Sequence, residues 1–335
     1  MGACASSAAV TAATPSHFAS NPIPSPVQVR APLTKDALLS ELAAKGSRCA
    51  SATLMEAPAA LQADRDVCLA AVALDGLALE HAAEGQRAEK SVCLVALANN
   101  GLALSFVAYA LRMERDVVFA AVTQNGLALQ HAAKVLRADE EVVRAAIAQH
   151  GGAVQYAARA VRALKDVALC AAAQRGLSLE IMDEHQADRD VVLAAVAQNG
   201  VALQYADALF RSDRDVVLVA VAHSGSALEY APALHADEGV ALIACAQAPR
   251  MLLFIAPPLL ADKGFLLRVV TANGMALEFL PAALKGDTDI VLAAVGSCGV
   301  ALQFASTALK SNKAVAAVAV AQDEAARRFC AEALF

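Results

Sequence analysis

The sequence predicts an all-α protein, an α-solenoid of about eleven short helical hairpins of 24–25 residues each. Three observations support this prediction: a fixed repeat period, an acid-led apolar run in each repeat, and an aromatic column. The string RDVVFAAVTQNGLALQHAAKVLRAD at 115–139 returns as RDVVLAAVAQNGVALQYADALFRSD at 189–213. A period between about 20 and 50 residues indicates one array of units and not a set of unrelated domains.

Glycines mark the repeat period along most of the chain. Successive glycines lie 24 or 25 residues apart, and the single gap of 49 residues contains Pro249 where a glycine is expected. The period-marking glycines are Gly76, Gly101, Gly126, Gly151, Gly176, Gly200, Gly225, Gly274 and Gly299. Because glycine readily adopts the left-handed conformation that closes a helix, we expect pairs such as Asn125-Gly126 to form helix-end turns.

An acid, or a substitute for it, lies twelve residues before each period-marking position. Together with Asn312 these residues start eleven units, at Asp64, Glu89, Glu114, Asp139, Leu164, Asp188, Asp213, Asp237, Asp262, Asp287 and Asn312. About ten residues rich in Val, Leu and Ala follow each start, as in 214–223. A short Val-rich run can form a strand, but the Ala content and the capping acid favour an α-helix. Since each run is apolar nearly all round, the helix is expected to be buried on more than one side.

A second segment follows the glycine in each unit. In 201–210, Leu203 and Ala206 have helical spacing. A basic residue such as Arg211 follows, where it suits the negative end of a helix. Each unit is therefore predicted to be a helical hairpin that cannot bury its apolar face alone. Stacked units would form a curved or superhelical array with a path on the order of 100 Å, at about 8–10 Å per helix.

Aromatic residues recur five positions after the glycine. The column reads His81, Phe106, His131, Tyr156, Ile181, Tyr205, Tyr230, Phe254, Phe279, Phe304 and Phe329. Its Phe and Tyr members are Phe106, Tyr156, Tyr205, Tyr230, Phe254, Phe279, Phe304 and Phe329. We expect these rings to form a structural ladder inside the core, with the ring of Phe279 buried. The alternative is an exposed aromatic groove that grips peptides or bases.

Amide and basic residues also recur. Gln124-Asn125 and Gln198-Asn199 are expected to cap carbonyls at helix ends, and the alternative is a polar binding edge for a partner chain. The basic residues that end the second segments are Arg112, Arg137, Arg162, Arg211, Lys285 and Lys310. With the acids that follow them, they are expected to form a charge-mixed, solvated rim, and the alternative is a surface that discriminates between partners.

The two ends of the chain depart from the repeat. Residues 64–335 form the predicted array, and its last unit, about 312–335, is polar enough to cap the C-terminal end. Residues 36–63 are expected to form a degenerate N-terminal capping repeat. Residues 1–35 are rich in Ala, Ser, Thr and Pro, contain no acid, and are expected to be a disordered leader.

The chain begins MGACASS, which fits the N-myristoylation pattern M-G-x-x-x-[ST]. Gly2 would be the acceptor, and Cys4 is well placed for palmitoylation. Two acyl chains give stable membrane anchoring, whereas one gives only marginal binding. The alternative is an organellar transit peptide, since the leader is Ser-rich and poor in acids.

Composition argues against several classes of function. Apolar residues make up 58% of the chain, but no run reaches the roughly 20 residues of a membrane-spanning helix. The net charge of −6, with acids and bases mixed along the chain, argues against a nucleic-acid partner. The eight cysteines form no CxxC pair and are expected to be reduced thiols in a cytosolic setting.

No catalytic or metal-binding pattern stands out. The HExxH, GxSxG and P-loop motifs are absent from the sequence. His81 and His131 belong to the aromatic column, and the repeated acids are expected to cap helices. We therefore expect no enzymatic activity, no metal, no cofactor and no small-molecule substrate.

The consensus of the units, DRDVVLAAVxQNGxALQYAxxxLRxD, resembles a family known as domain of unknown function 4116. The stretches 188–206 and 213–231 match it well, and the resemblance covers about residues 64–335. Departures occur at Leu164, at Pro249 and from residue 310 onward. The resemblance implies helical repeats and implies nothing about catalysis, because the family has no assigned activity.

These features predict a non-enzymatic scaffold for protein–protein interaction. We expect a cytoplasmic protein that contacts a membrane through acylated Gly2 and Cys4 and binds a protein partner. The alternative is a helical-repeat protein that is imported into an organelle, a plastid or a mitochondrion, and binds RNA. A basic groove would favour that alternative, and the net charge of −6 disfavours it.

Overall fold

A computed structural model of the chain describes residues 34–331, which consist of helices and the short turns that join them. Within this range there is no β-strand. The α-helices are α1 (Lys35–Lys45), α2 (Ala50–Met55), α3 (Ala59–Gln62), α4 (Arg65–Leu74), α5 (Glu84–Arg87), α6 (Lys90–Asn99), α7 (Arg115–Gln124), α8 (Glu140–Gln149), α9 (Arg159–Arg162), α10 (Lys165–Gln174), α11 (Arg189–Gln198), α12 (Ala208–Arg211), α13 (Arg214–His223), α14 (Glu238–Gln247), α15 (Pro257–Ala261), α16 (Lys263–Ala272), α17 (Thr288–Ser297), α18 (Thr307–Lys310) and α19 (Lys313–Gln322).

Short 3₁₀-helices alternate with the α-helices. They are Ser47–Cys49, Gly76–His81, Gly101–Ser105, Leu111–Met113, Gly126–His131, Leu136–Ala138, Gly151–Tyr156, Gly176–Ile181, Asp183–His185, Gly200–Tyr205, Gly225–Tyr230, Pro232–Leu234, Pro249–Phe254, Gly274–Phe279, Leu284–Gly286, Gly299–Phe304 and Glu324–Phe329. The all-α repeat fold predicted from the sequence is therefore confirmed.

Each repeat unit begins with a ten-residue α-helix and a 3₁₀-helix of five or six residues, and in units 1 to 10 a closing segment follows that contains a short α-helix or a short 3₁₀-helix. We number the units 1 to 11 from their starts at residues 64, 89, 114, 139, 164, 188, 213, 237, 262, 287 and 312. In unit 3, α7 is followed by the 3₁₀-helix Gly126–His131. The second segment differs from the predicted α-helix because Ala132, with φ −68° and ψ 152°, is extended and interrupts it.

The predicted caps at the starts of the α-helices are confirmed for most units. Asp213 is representative: its carboxylate accepts hydrogen bonds from the backbone N–H groups of Asp215 at 2.9 Å and Val216 at 3.2 Å. Units 2, 3 and 5 are exceptions: the side chains of Glu89 and Glu114 accept no capping hydrogen bond, and Leu164 has no side-chain oxygen. A capping carboxylate typically stabilises a helix by about 1 kcal/mol, so these units lack that contribution.

The period-marking glycines do not serve as left-handed helix ends, so that prediction is wrong. Among the described residues only Gly46 has a positive φ, at 66°. Asn125, which precedes Gly126, is extended with φ −147°, and its side-chain oxygen accepts from the backbone N–H of Leu127 at 3.0 Å. The asparagine thus caps the 3₁₀-helix. The glycine is required for another reason, because a Cβ at Gly126 would lie 2.1 Å from the carbonyl oxygen of Ala146 in the next unit.

The core runs without interruption from unit to unit. Each ten-residue helix except α19 buries two adjacent apolar pairs, and in α7 these are Val117, Val118, Ala121 and Val122, all 0% exposed. Each such helix packs against the equivalent helix of the following unit, and each long 3₁₀-helix packs against the next 3₁₀-helix. Fully burying one Val or Leu side chain contributes about 1.5–3 kcal/mol, so contacts between neighbouring units dominate the stability.

The aromatic column lies at the edge of this core. Phe106, Tyr156, Tyr205, Tyr230, Phe254, Phe279, Phe304 and Phe329 pack against buried residues and keep part of their surface exposed. The prediction of a buried Phe279 ring is therefore wrong. The reason is positional: the fourth residue of the 3₁₀-helix, Leu277 in that unit, fills the interior with 0% exposure, and the ring two residues later reaches only the rim.

Outside the repeats, α1 and α2 lie against the first unit. Leu38, Leu42 and Leu54 are fully buried there, and α1 and α2 both pack on α4. At the other end, unit 11 carries Glu324 at the glycine position. Residues 1–33 of the predicted leader, with the acylation candidates Gly2 and Cys4, lie outside the described residues. The last two residues of the predicted leader are ordered, because Thr34 caps α1 and Lys35 begins it.

Candidate functional site

The titratable side chains that could carry chemistry are scattered or buried in the described residues. Within 34–331, no group of three His, Cys, Asp or Glu side chains is placed to hold a metal ion. Burial raises the pKa of the Cys68 and Cys93 thiols to about 11 and that of Cys245 to about 12, so these cysteines stay protonated. The buried His185 is used structurally, with Nε2 3.1 Å from the carbonyl oxygen of Arg162.

Free thiols occur at each described cysteine, and none of these residues forms a disulfide. None of the helices in the described part of the chain combines the length and apolar character needed to cross a membrane.

The recurring glutamines join neighbouring units. Gln124 in unit 3 reaches back to unit 2, where its Oε1 accepts from the Gly101 N–H at 2.6 Å and its Nε2 donates to the carbonyl oxygen of Asn99 at 3.1 Å. Gln247 makes the equivalent pair of bonds to Gly225 and Ala222. Gln149 and Gln198 make only the bond from Oε1, and Gln174 makes only the bond from Nε2. The prediction of a capping ladder at the helix ends is confirmed.

A ladder of ion pairs also joins the units. The cation at the first position of a helix contacts the acids at the start of the next unit, as Lys90 Nζ does with Glu114 and Asp116 at 2.6 Å each. Contact with Asp116 and Glu114 raises the pKa of Lys90, and contact with Lys263 lowers the pKa of Asp287. The cations of this ladder are Lys35, Lys90, Arg115, Lys165, Arg189, Arg214 and Lys263. Sequence analysis missed this pairing, although the cations recur with the repeat period.

The arginines that end the second segments behave differently. Arg87, Arg112, Arg137, Arg162 and Arg211 form no ion pair with any acid in the described part of the chain. Their Nε atoms are buried without a hydrogen-bond partner. The backbone of this column is used between units, since the carbonyl oxygen of Arg112 accepts from the Ala133 N–H at 3.2 Å. The predicted charge-mixed rim is thus divided: the acids are neutralised by the ladder cations, and the column arginines keep their charge.

A cavity of about 480 Å³ opens between the second segments of units 2 and 3. Its lining includes Tyr109, Arg112, His131, Lys134 and Arg137, and no carboxylate faces it. The Arg112 guanidinium carbon lies 5.7 Å from the centre of the Tyr109 ring. Burial, and to a smaller extent the charge of Arg112, lowers the pKa of His131. The cavity therefore combines positive charge with apolar surface, and an anionic group with an apolar neighbour is its natural complement.

Large apolar side chains are exposed on the same segments. Tyr109 is 65% exposed, Val135 71%, Leu209 71% and Leu253 70%. Leu253 lies in a 3₁₀-helix, Tyr109 and Val135 lie in turns, and Leu209 lies in the short helix α12, all within the second segments of their units. Exposed aromatic and aliphatic side chains beside positive charge are typical of a surface that contacts another molecule.

The family model for domain of unknown function 4116 (DUF4116) matches the chain four times, at residues 89–137, 114–162, 188–234 and 262–310. Together these matches cover about half of the chain. The chain belongs to this family. Each DUF4116 match spans two consecutive units, which agrees with a 24–25-residue period and with the unit boundaries found here. Comparison with curated proteins and with solved structures gave no significant match.

Proposed function

We propose that this DUF4116 protein is a non-enzymatic scaffold that binds a protein partner through the second segments of its units, which comprise the 3₁₀-helices and the closing segments. The observation that carries this proposal is the exposure of Tyr109, Val135, Leu209 and Leu253 on those segments, each more than three-fifths open to solvent. The ten-residue helices join neighbouring units through their glutamines and ion pairs. The second segments carry the most exposed of the large apolar side chains, together with arginines that form no ion pair within the described residues.

A site-specific photocrosslinker tests which side of the array meets a partner. We would place benzoylphenylalanine at Val135 or Leu209, on second segments, and at Val219 or Val318, on α13 and α19, as matched controls. Val219 and Val318 are 37% and 40% exposed, so the reagent is accessible at all four positions. The proposal expects one and the same protein to crosslink from Val135 and Leu209 and not from the controls. Equal crosslinking from both sides, or none from any position, would contradict it.

We further propose that acylation of Gly2 and Cys4 tethers the scaffold to a membrane. This rests on the MGACASS start, because two acyl chains hold a protein at a bilayer far better than one. The test is metabolic labelling with a clickable myristate, followed by membrane fractionation of wild type, Gly2→Ala and Cys4→Ser. Labelling and sedimentation that depend on Gly2 support the tether. A mature protein that begins near residue 30 and carries no label would instead identify the leader as a transit peptide.

A further inference from the structure

The second segments of units 2, 3 and 4 are the longest consecutive run of second segments without an acid in the array. Residues 101–113, 126–138 and 151–163 contain five Lys and Arg side chains and no acid. Arg159 is neutralised by Glu184, with Nε and Oε1 2.6 Å apart. The remaining four, Arg112, Lys134, Arg137 and Arg162, form no ion pair with any acid in residues 34–331, and we call them the basic patch.

The acids at the starts of units 3 and 4 do not neutralise the basic patch. Glu114 follows the first of these segments but is held by Lys90, and Asp139 follows the second but is held by Arg115. The third segment is followed by Leu164, where most units have an acid. The positive charge of the patch is therefore concentrated locally in a chain whose net charge is −6.

The basic patch is short and has negative borders. On one side, the second segment of unit 1 carries Glu80 and Glu84 with the single base Arg87, and on the other, that of unit 5 carries Glu180 and Asp183 in addition to Glu184, which Arg159 neutralises. With neighbouring units about 8–10 Å apart, the patch extends over roughly 16–20 Å from unit 2 to unit 4. An extended peptide rises about 3.3 Å per residue, so the patch matches five or six residues. A long polyanion would continue onto the carboxylates at both borders and be repelled.

Apolar side chains border the positive charges. Tyr109 and Val135 project at 65% and 71% exposure, and Met113 is 51% exposed beside them. The 480 Å³ cavity between units 2 and 3 opens among Tyr109, Arg112 and Val135. A ligand that satisfies both features must carry carboxylates and at least one apolar side chain.

Building on the scaffold function proposed above, we infer that the basic patch docks a short acidic peptide segment of the partner. The peptide lies extended across units 2 to 4, with an apolar side chain in the cavity beside Tyr109. Its carboxylates contact Arg112, Arg137 and Arg162, which are unpaired in the described part of the chain. Bidentate guanidinium–carboxylate pairing gives such contacts both strength and orientation.

Fluorescence anisotropy with the full chain and defined probes tests this inference. The probe is the fluorescein-labelled heptapeptide DEDFDED, compared with DEDADED, with KRKFKRK and with a labelled twelve-nucleotide oligouridylate. We expect DEDFDED to bind about tenfold more tightly than DEDADED, because the phenylalanine ring occupies the cavity. Neither the basic peptide nor the oligouridylate should compete with it. Raising the salt concentration should weaken binding, since the contacts are charged and partly exposed.

Two double variants locate the site. R112Q/R137Q removes two charges from the basic patch, and R211Q/K310Q removes two charges from the same column outside it. We expect the first to weaken DEDFDED binding at least tenfold and the second to change it less than twofold. If R112Q/R137Q fails to fold, K134E provides the test, because Lys134 is exposed and forms no ion pair within residues 34–331.

Three results would overturn the inference: no DEDFDED binding up to about 1 mM, equal weakening by both double variants, or tighter binding of the oligouridylate through the same arginines. The crosslinking experiment at Val135 and Leu209 distinguishes a failure of the peptide inference from a failure of the scaffold proposal. If crosslinks persist while DEDFDED fails to bind, the scaffold stands and the acidic peptide is wrong. If both fail, the scaffold proposal fails as well.

Discussion

Gly126→Ala adds one methyl group at the closest approach between units 3 and 4. The new Cβ would lie 2.1 Å from the carbonyl oxygen of Ala146 and 3.1 Å from the backbone nitrogen of His150. The contacted atoms are backbone atoms at the C-terminal end of α8 and cannot rotate away. Because Gly126 has no positive φ, the alanine backbone itself is unstrained, and the whole effect comes from this contact.

The structure gives the size of the effect. Restoring a separation of at least 3.0 Å from 2.1 Å requires the two units to move apart by about 0.9 Å. A gap of 0.5–1 Å removes roughly a quarter to a half of the dispersion energy between facing atoms. Overpacking a well-packed interior typically costs about 1–3 kcal/mol. We expect the free energy of unfolding to fall by about 3 kcal/mol, since a rigid backbone group receives the methyl.

Urea unfolding followed by circular dichroism at 222 nm provides the assay. Gly296→Ala is the matched control: Gly296 lies inside α17, and a Cβ there meets nothing within 4 Å. Replacing an open helical glycine with alanine should stabilise the protein by about 0.5–1 kcal/mol. The reasoning is refuted if Gly126→Ala leaves the urea midpoint unchanged or raises it as the control does.

Three further predictions concern the ladder, the cavity and the thiols. Gln124→Ala removes two hydrogen bonds between units and should lower the free energy of unfolding, measured in urea, by about 1–3 kcal/mol. The control Thr123→Ala loses only contacts within α7 and should lower it by less. Burial lowers the folded-state pKa of His131, so its contribution to the free energy of unfolding is present above about pH 6.5 and declines as the pH falls. H131F should therefore make the urea midpoint depend less on pH between pH 7 and 5. An unchanged pH dependence of the midpoint would contradict this. The exposed Cys170 should react rapidly with a disulfide reagent at pH 8, while Cys245, with a pKa of about 12, should react only on unfolding; equal rates in the native protein would disprove the burial argument.

Much of the repeat unit could be predicted from the residues themselves. The acid at the start, the Val- and Ala-rich run and the Asn-Gly pair each act within a few residues of chain. The cap formed by Asp213, for instance, involves backbone groups only two and three positions away. Such short-range interactions follow directly from sequence spacing, and for this reason the first helix of each unit was correctly predicted.

The predictions that failed involve two units at once. The sequence pattern at Gly126 is typical of a helix end. The structure instead requires its small size, because the carbonyl oxygen of Ala146, twenty residues later in the chain, comes within 2.1 Å of where a Cβ would lie. The sequence predicts that the Phe279 ring lies in the core, because aromatic residues recur at this position of the repeat. The exposure of the ring depends on how much of the interior Leu277 already occupies, and the repeat period of the sequence does not show how deeply a residue is buried.

At the candidate site too, the sequence shows which residues are present and the tertiary structure shows which of them pair. The sequence displayed the basic column, but it also displayed acids beside it, and the two appeared to cancel. Tertiary structure pairs those acids with other cations, as with Lys90 and Glu114 across 24 residues of chain. That pairing leaves Arg112 and Arg137 charged next to the exposed Tyr109.

The sequence by itself determined the all-α repeat, its period, the starts of its helices and its membership of the DUF4116 family. Only the tertiary structure decided why the glycines are needed, where the aromatic rings lie, and which charges remain available to a partner. The physical reason is that helix caps and apolar periodicity act within one unit. Close backbone approach, depth of burial and ion pairing depend on the way one unit lies against the next.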